Sequence, residues 1–353
     1  MTESAGNLDT LVKHVAENPN SLVSLAVLLL AKGQEGRARQ LCAQAVALAP
    51  EDAEIRALAA EVFSHGVPTW YFSMVRDSVR HKKYEAAFRR AIKPGSRVLD
   101  VGSGTGLFAM MAARAGAAEV ITCESNPAVA AAVSQVIARN GLADIIRVVA
   151  KHSSDLVLGS DLPGPADVIV WDNLTRNLIG AGVLAMLEHA IRRFAHPDTR
   201  VIPARGSIRA ALADYAQSNP HMENIEGFDL SPFKYLAPPY YRIDRTEKLP
   251  LRSDAADILA FDFESGGPFP QTKTQVLLSS QGGSVSGVAQ WISLELDEGA
   301  RYENAPPLGW TESLGILFYP FADAIDTAPG DQIRVCGSHD RNTVRIWLSE
   351  GPL

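Results

Sequence analysis

Asp100 and Glu124 enclose three glycines at alternate positions, Gly102, Gly104 and Gly106, in a run that begins Val98-Leu-Asp-Val-Gly-Ser-Gly-Thr-Gly. Glycines allow a backbone to approach a ligand where a Cβ collides. A second apolar run, Glu119 to Cys123, ends at Glu124, and a carboxylate there suits the two hydroxyls of a ribose. The ligand is narrowed by exclusion. A dinucleotide fingerprint needs glycine at 102, 104 and 107, and position 107 is Leu. A phosphate-binding loop needs Gly-Lys-Ser/Thr, and no lysine follows these glycines. Asp100, just ahead of the turn, disfavours a pyrophosphate. An acid, three glycines and a second acid fit a ligand with an amino group, a ribose and no phosphate, the shape of S-adenosylmethionine.

The elements that must hold these residues are legible around them. An apolar strand, Arg97 to Val101, leads into the glycines, and an Ala-rich helix over Leu107 to Ala115 follows. Asn126 with Pro127 opens a further helix, and Asn140-Gly141 closes it. Ile145 to Ala150 and Asp167 to Trp171 read as buried parallel strands, and Leu178 to Phe194 as a helix. Regular β–α alternation implies a doubly wound sheet whose ligand lies at the carboxyl ends of its strands. Ahead of it, Trp70 to Ile92 is helical.

After Pro203 the texture changes to short alternating runs separated by Gly, Pro, Asp and Ser. They cover 207–212, 258–263, 274–278, 290–296, 315–319, 332–336 and 343–348, and predict an antiparallel barrel or sandwich. Residues 1–66 read as helices only. Leu22, Leu25, Ala26, Leu29, Gly33, Ala38, Cys42, Ala45 and Pro50 fall in the frame of a tetratricopeptide repeat (TPR), with small residues where paired helices touch. Three domains follow: a TPR-like segment over 1–66, a leading helix with a Rossmann-like cofactor domain over 67–203, and a β-barrel domain over 204–353.

The chain of 353 residues is 46% hydrophobic and 21% charged, an ordinary globular composition with room for several cores. Its net charge of −7 argues against a broad nucleic-acid footprint and suits a basic peptide. Cys42, Cys123 and Cys336 are far apart and offer no metal-binding spacing. The amino terminus lacks signal-peptide character, and the apolar run at Leu22 to Ala31 is too short to span a bilayer. A cytoplasmic protein without membrane partners is expected.

In combination these features resemble the protein arginine methyltransferases across residues 68–350. Met74-Val-Arg-Asp77-Ser-Val-Arg80, followed by Tyr84, is similar to the family's leading-helix motif, and Val98 to Gly106 to its first cofactor motif. The resemblance implies that S-adenosylmethionine is held by Met74, Arg80, Asp100, Gly102, Ser103, Gly104, Gly106, Glu124, Ser125, Ser153 and Ser154, and leaves as S-adenosylhomocysteine. Arg80 would pair with the cofactor carboxylate and Glu124 with its ribose. The stretch Lys151 to Asp155 would touch the adenine. Residues 223–231 resemble the start of the family's dimerisation arm, a 219–254 insertion that implies a homodimer. The helical segment in front is most like the repeat-bearing branch of the family.

The acceptor side departs from the family pattern. Two glutamates clamp the substrate guanidinium in the family; Asp172 stands at the first position and Ala181 at the second. A Thr-His-Trp motif of the barrel is replaced by Thr311-Glu312-Ser313. A guanidinium carries five donors in a planar fork and a pKa above about 12, so methylating it calls for carboxylates that hold the fork. The residues expected to orient the acceptor are Asp172, Asp77 and Glu312. Three readings follow: a methyltransferase acting on a protein or peptide, a methyltransferase for a small molecule or a non-arginine N or O acceptor, and a catalytically silent cofactor-binding scaffold.

Overall fold

The computed structural model describes residues 10, 12–180, 182–215, 222, 224–244, 249–308 and 314–349. The chain divides into two compact units, Met1–Trp70 with Asn126–Ala131, and Tyr71–Ser125 with Ala132–Leu353. None of the described helices is long and apolar enough to cross a membrane.

In the first unit three helices follow one another, Pro19–Ala31, Glu35–Leu48 and Ala53–Ser64. Asn18 caps the first by accepting from the Ser21 N–H, with Pro19 pre-set for the opening turn. Asp52 caps the third through the Glu54 and Ile55 N–H groups. Ala26, Ala38 and Ala45 are fully buried, so helix backbones approach closely where the sequence places small residues. Leu22, Leu29, Ile55 and Val62 fill the rest of this core. Each buried aliphatic side chain of this size contributes about 1.5–3 kcal/mol.

The second unit contains both sheets. Its helical lead-in is broken: Trp70–Met74 and Ser78–Ala91 are separate helices, because Asp77 leaves helical geometry to cap the second. Five parallel strands follow, β1 (Arg97–Val101), β2 (Glu119–Cys123), β3 (Ile146–Val149), β4 (Ala166–Trp171) and β5 (Ala195–Ile202), in the order β3-β2-β1-β4-β5. Strand order reverses direction beside β1, so the β1–β4 crevice is the switch point where an open α/β sheet takes its ligand. The helix after β4 begins at Val183, not at the expected Leu178. Leu178 has φ 61° and Gly182 φ 79°, left-handed values that end a tight loop and place the helix start after it.

The antiparallel part comprises β6 (Arg205–Ala213), β7 (Tyr241–Ile243), β8 (Ala256–Asp262), β9 (Thr272–Asp297), β10 (Ala300–Glu303), β11 (Ile316–His339) and β12 (Val344–Leu348). Its path runs β12-β11-β9-β6-β8, with β10 on β9 and β7 on β11, a β-barrel-like arrangement. The four short runs expected at 274–278, 290–296, 315–319 and 332–336 are two long strands instead. Between the paired apolar ends, residues 279–285 and 325–329 continue the ladder with register shifts and two left-handed glycines, Gly282 and Gly283. Backbone hydrogen bonds carry this stretch, so no side-chain alternation marks it.

Ion pairs join this sheet to the parallel domain. Arg90 grips Asp297 with both nitrogens at 2.7 Å, and Arg341 grips Glu188 at 3.0 and 2.7 Å.

Candidate active site

Gly102, Gly104 and Gly106 all adopt positive φ, 94°, 52° and 78°. The turn is also closely packed. A Cβ on Gly102 would lie 2.6 Å from the Asn173 amide nitrogen, and one on Gly106 would lie 2.9 Å from Val133. Glycine is therefore required twice over, by conformation and by space.

Three adjacent strand ends deliver carboxylates beside this turn: Asp100 from β1, Glu124 just past β2, and Asp172 just past β4. Asp100 is buried and accepts a 2.7 Å hydrogen bond from the Thr122 hydroxyl, which also meets the Ser103 hydroxyl at 2.7 Å. Burial, reinforced by the charges of Asp172 and Glu124, pushes the Asp100 carboxyl up to about 7 despite that hydrogen bond. Glu124 is buried, and the Tyr71 hydroxyl is hydrogen-bonded to it. Burial first, then Glu124, pushes the Tyr71 phenol up to about 12, so Tyr71 stays a neutral donor.

The leading helix adds a cation. Arg80 is 1% exposed, donates its backbone N–H to Asp77 Oδ1 at 3.1 Å, and reaches the Met74 carbonyl through Nη2 at 3.3 Å. Its guanidinium lies 3.9 Å from Asp77 Oδ2 and 3.6 Å from Asp172 Oδ2. Nε and Nη1 are buried without a hydrogen-bond partner, and so is Asp172 Oδ1. Burial disfavours the Arg80 cation, but the charges of Asp172 and Asp77 outweigh it and hold the guanidinium above its ordinary pKa. Burial likewise pushes the Asp172 carboxyl up to about 6, against the pull of Arg80 and of the neighbouring Tyr84 hydroxyl. Tyr84 is fully buried and donates its one hydroxyl proton to the Trp171 carbonyl at 3.1 Å.

The barrel side completes the cleft. Tyr302 on β10 donates to Asp77 Oδ2 at 3.1 Å. Gln290 on β9 donates to the Arg176 carbonyl at 2.8 Å, Tyr319 on β11 donates to Asn177 at 3.3 Å, and Asn342 accepts from the Gly182 N–H at 3.1 Å. The loop after β4 is thus pinned from three places on the antiparallel sheet.

Most residues singled out in the sequence come together here: Met74, Asp77, Arg80, Asp100, Gly102, Ser103, Gly104, Glu124 and Asp172. Ser125 is exposed. Ser153 is buried in the 3-10 turn Ser153–Asp155, whereas Ser154 is exposed with its hydroxyl between His152 and Asp155. Ala181, Glu223, Trp310 and Thr311-Glu312-Ser313 lie outside the described residues. Sequence reasoning missed Tyr71, Thr122, Tyr302, Gln290, Tyr319 and Asn342. Thr122 alone carried a signal, a lone hydroxyl in an apolar strand two residues before Glu124.

The arrangement suits a ligand bearing both charges. Arg80 offers two unfilled donors to a carboxylate, while Asp77 at 3.9 Å and Asp172 at 3.6 Å give its guanidinium more carboxylates than it neutralises. Among known proteins, the chain matches the family model described as ribosomal protein L11 methyltransferase (PrmA) over residues 85–209. It is 35% identical over 289 residues to an arginine N(omega)-methyltransferase of Streptomyces achromogenes subsp. streptozoticus, covering 80% of each chain. The chain belongs to the protein arginine methyltransferase family. A protein arginine N-methyltransferase 7 of Drosophila ananassae is 32% identical over 254 residues, 65% of this chain and 36% of the fly protein. Two solved family structures share the fold. The Trypanosoma brucei PRMT1 enzyme–prozyme heterotetramer with AdoHcy has a TM-score of 0.68 at 21% identity, over 78% of this chain and 88% of its own. Arabidopsis thaliana protein arginine methyltransferase 10 gives 0.63 at 16%, over 78% and 95%. As a member of this family the chain is an S-adenosylmethionine-dependent methyltransferase.

Proposed function

We propose that this methyltransferase acts on a guanidinium nitrogen of arginine in a protein or peptide, with Asp172 holding the acceptor. One observation carries the reading: Asp172 presents an unpartnered buried oxygen in a cleft where carboxylates outnumber cations. The names of its relatives support arginine as the acceptor class.

In this reading Arg80 Nε and Nη1 take the cofactor carboxylate, and Asp100 faces its amino group. Glu124, held by Tyr71, takes the ribose hydroxyls. Gly102, Ser103, Gly104 and Gly106 form the floor, Met74 a wall, and Ser125, Ser153 and Ser154 the adenine edge. S-adenosylmethionine, when bound, supplies a sulfonium methyl open to in-line displacement. Asp172 binds the guanidinium N–H donors and concentrates a lone pair on the nitrogen left free. Transfer of the methyl group would break its bond to sulfur and release the thioether, and Asp172 Oδ1 would accept the proton that the methylated nitrogen loses. A carboxyl near about 6 is ionised at neutral pH yet able to carry that proton briefly. Asp77 orients Arg80 and borders the acceptor, and Glu312, outside the described residues, is the second carboxylate this reading assigns.

Three further assignments belong to the same reading. The arm between β6 and β7 exposes Phe228, Phe233, Tyr235 and Leu236, at 70%, 63%, 94% and 72%. Apolar exposure on that scale suits a homodimer contact, and a monomer by sedimentation at micromolar concentration would remove it. The three N-terminal helices serve as a TPR-type segment that engages a protein partner. The enzyme works in the cytoplasm.

Transfer of labelled methyl groups to proteins, followed by amino-acid analysis, tests the central assignment. Label recovered as methylarginine is the expected result. Label confined to a small molecule, or to any other residue, would overturn it.

A further inference from the structure

The loop that carries Asp172 also carries a cation that the mechanism does not use. Arg176 is 28% exposed, and its Nε is buried without a hydrogen-bond partner. Among the described residues its nearest carboxylate is Asp244, at 3.9 Å, too far for a hydrogen bond. Asp244 is already engaged by Arg242 at 2.6 Å. Among the described residues, two guanidiniums therefore share one carboxylate. Burial first, and then the charge of Arg242, draws the Arg176 guanidinium below its ordinary pKa, the mark of a cation short of neutralisation.

The backbone that carries Arg176 is held from the antiparallel sheet. Fully buried Gln290 anchors its carbonyl at 2.8 Å, and Tyr319 anchors the next residue, Asn177. The Tyr240 and Tyr319 rings stand 5.5 Å apart, centroid to centroid, beside the same loop. A half-buried, under-neutralised arginine on an anchored backbone is suited to recognise something planar and anionic. It stands four residues beyond Asp172, on a loop that bridges the carboxyl end of the parallel sheet to the antiparallel sheet.

We propose that Arg176, backed by Arg242, binds a carboxylate of the acceptor, so that the enzyme selects arginines that bring a negative charge with them. The proposal rests on the arginine reading above and deepens it. Two sources share that chemistry: the α-carboxylate of the amino acid itself, and an acidic side chain beside the arginine of a peptide. Arginine's planar fork pairs bidentately with either.

The test uses the full chain and two matched pairs of acceptors, L-arginine against agmatine, and a peptide with Arg-Glu against the same peptide with Arg-Gln. Methylation rates are measured for wild type, Arg176→Gln and Arg176→Lys. Affinities for the same acceptors are measured by calorimetry in the presence of S-adenosylhomocysteine. Wild type should favour the carboxylate-bearing member of one pair by about 10- to 100-fold in KM, the range expected of a charge-assisted hydrogen bond. Arg176→Gln should erase that preference with little change in kcat, and Arg176→Lys should restore part of it. The pair that discriminates identifies the source. Equal treatment of both pairs by wild type, in rate and in affinity, would overturn the proposal, as would a preference that survives Arg176→Gln. Carboxylate-selective binding without methylation of any arginine compound would sink the arginine reading and leave the carboxylate site standing.

Discussion

The two halves of the cleft are built by different means. The floor of the cofactor half is local: the glycine turn, Asp100 and Thr122 come from β1, β2 and their ends and bond to one another, with Glu124 just past β2, while Arg80 and Tyr71 join from the leading helices. The acceptor half is assembled from afar. The loop between β4 and Val183 is held by Gln290, Tyr319 and Asn342, each more than a hundred residues away. A turn bonded within its own sheet keeps its geometry when more distant parts of the molecule change. A loop held by a separate sheet can change its acceptor without disturbing the cofactor.

That contrast can be broken by substitution, and the largest effect should come from Asp172→Ala. Removing one partner from a buried charged arrangement costs on the order of 3–5 kcal/mol. Turnover should fall about a hundredfold or more, with cofactor affinity nearly unchanged. A parallel loss of cofactor binding would show that the halves are not separable.

Gly102→Ala should do the reverse. A side chain at φ 94° is strained by roughly 1–2 kcal/mol and would also displace Asn173. Isothermal titration should then show affinity for S-adenosylhomocysteine reduced about 5- to 30-fold. Unchanged affinity would mean that the turn does not touch the ligand.

The pH dependence sharpens the same division. Asp100 is raised to about 7, so below that value it is protonated, and a cationic ligand must first displace the proton. S-adenosylmethionine affinity should therefore rise with pH and level off above about 7, by up to about tenfold between pH 6 and 8. Turnover at saturating cofactor should instead lose its acid limb near about 6, as Asp172 is protonated. A single shared pKa in both profiles would contradict separate control.

Asn342→Ala should have the smallest effect. It deletes one hydrogen bond at the far end of the acceptor loop, a contribution of about 0.5–1.5 kcal/mol. kcat/KM for the acceptor should fall about 2- to 10-fold while the cofactor dissociation constant stays put.

The same division explains what could be read from the sequence. The parallel sheet and its ligand turn were legible because each is a short-range pattern: an apolar strand, three glycines, a helix, a second strand and an acid. Even the ligand class followed, since Leu107 and the missing lysine exclude phosphate. The acceptor half was only partly legible. Asp172 could be placed by its position after β4, but Leu178 looked like the first residue of an amphipathic helix, although its backbone is left-handed. Tyr302 and Asp77 meet across 225 residues, and nothing in either neighbourhood announces it. Long strands β9 and β11 were read as fragments because polar and glycine residues occupy their middles, where pairing is made by the backbone alone.

Calorimetric titration of S-adenosylhomocysteine into wild type, Glu124→Ala and Asp172→Ala tests most directly whether the cofactor half stands by itself. Wild type should bind, Glu124→Ala should bind at least about tenfold more weakly, and Asp172→Ala should match wild type. No heat from wild type, or equal losses in both variants, would contradict the account.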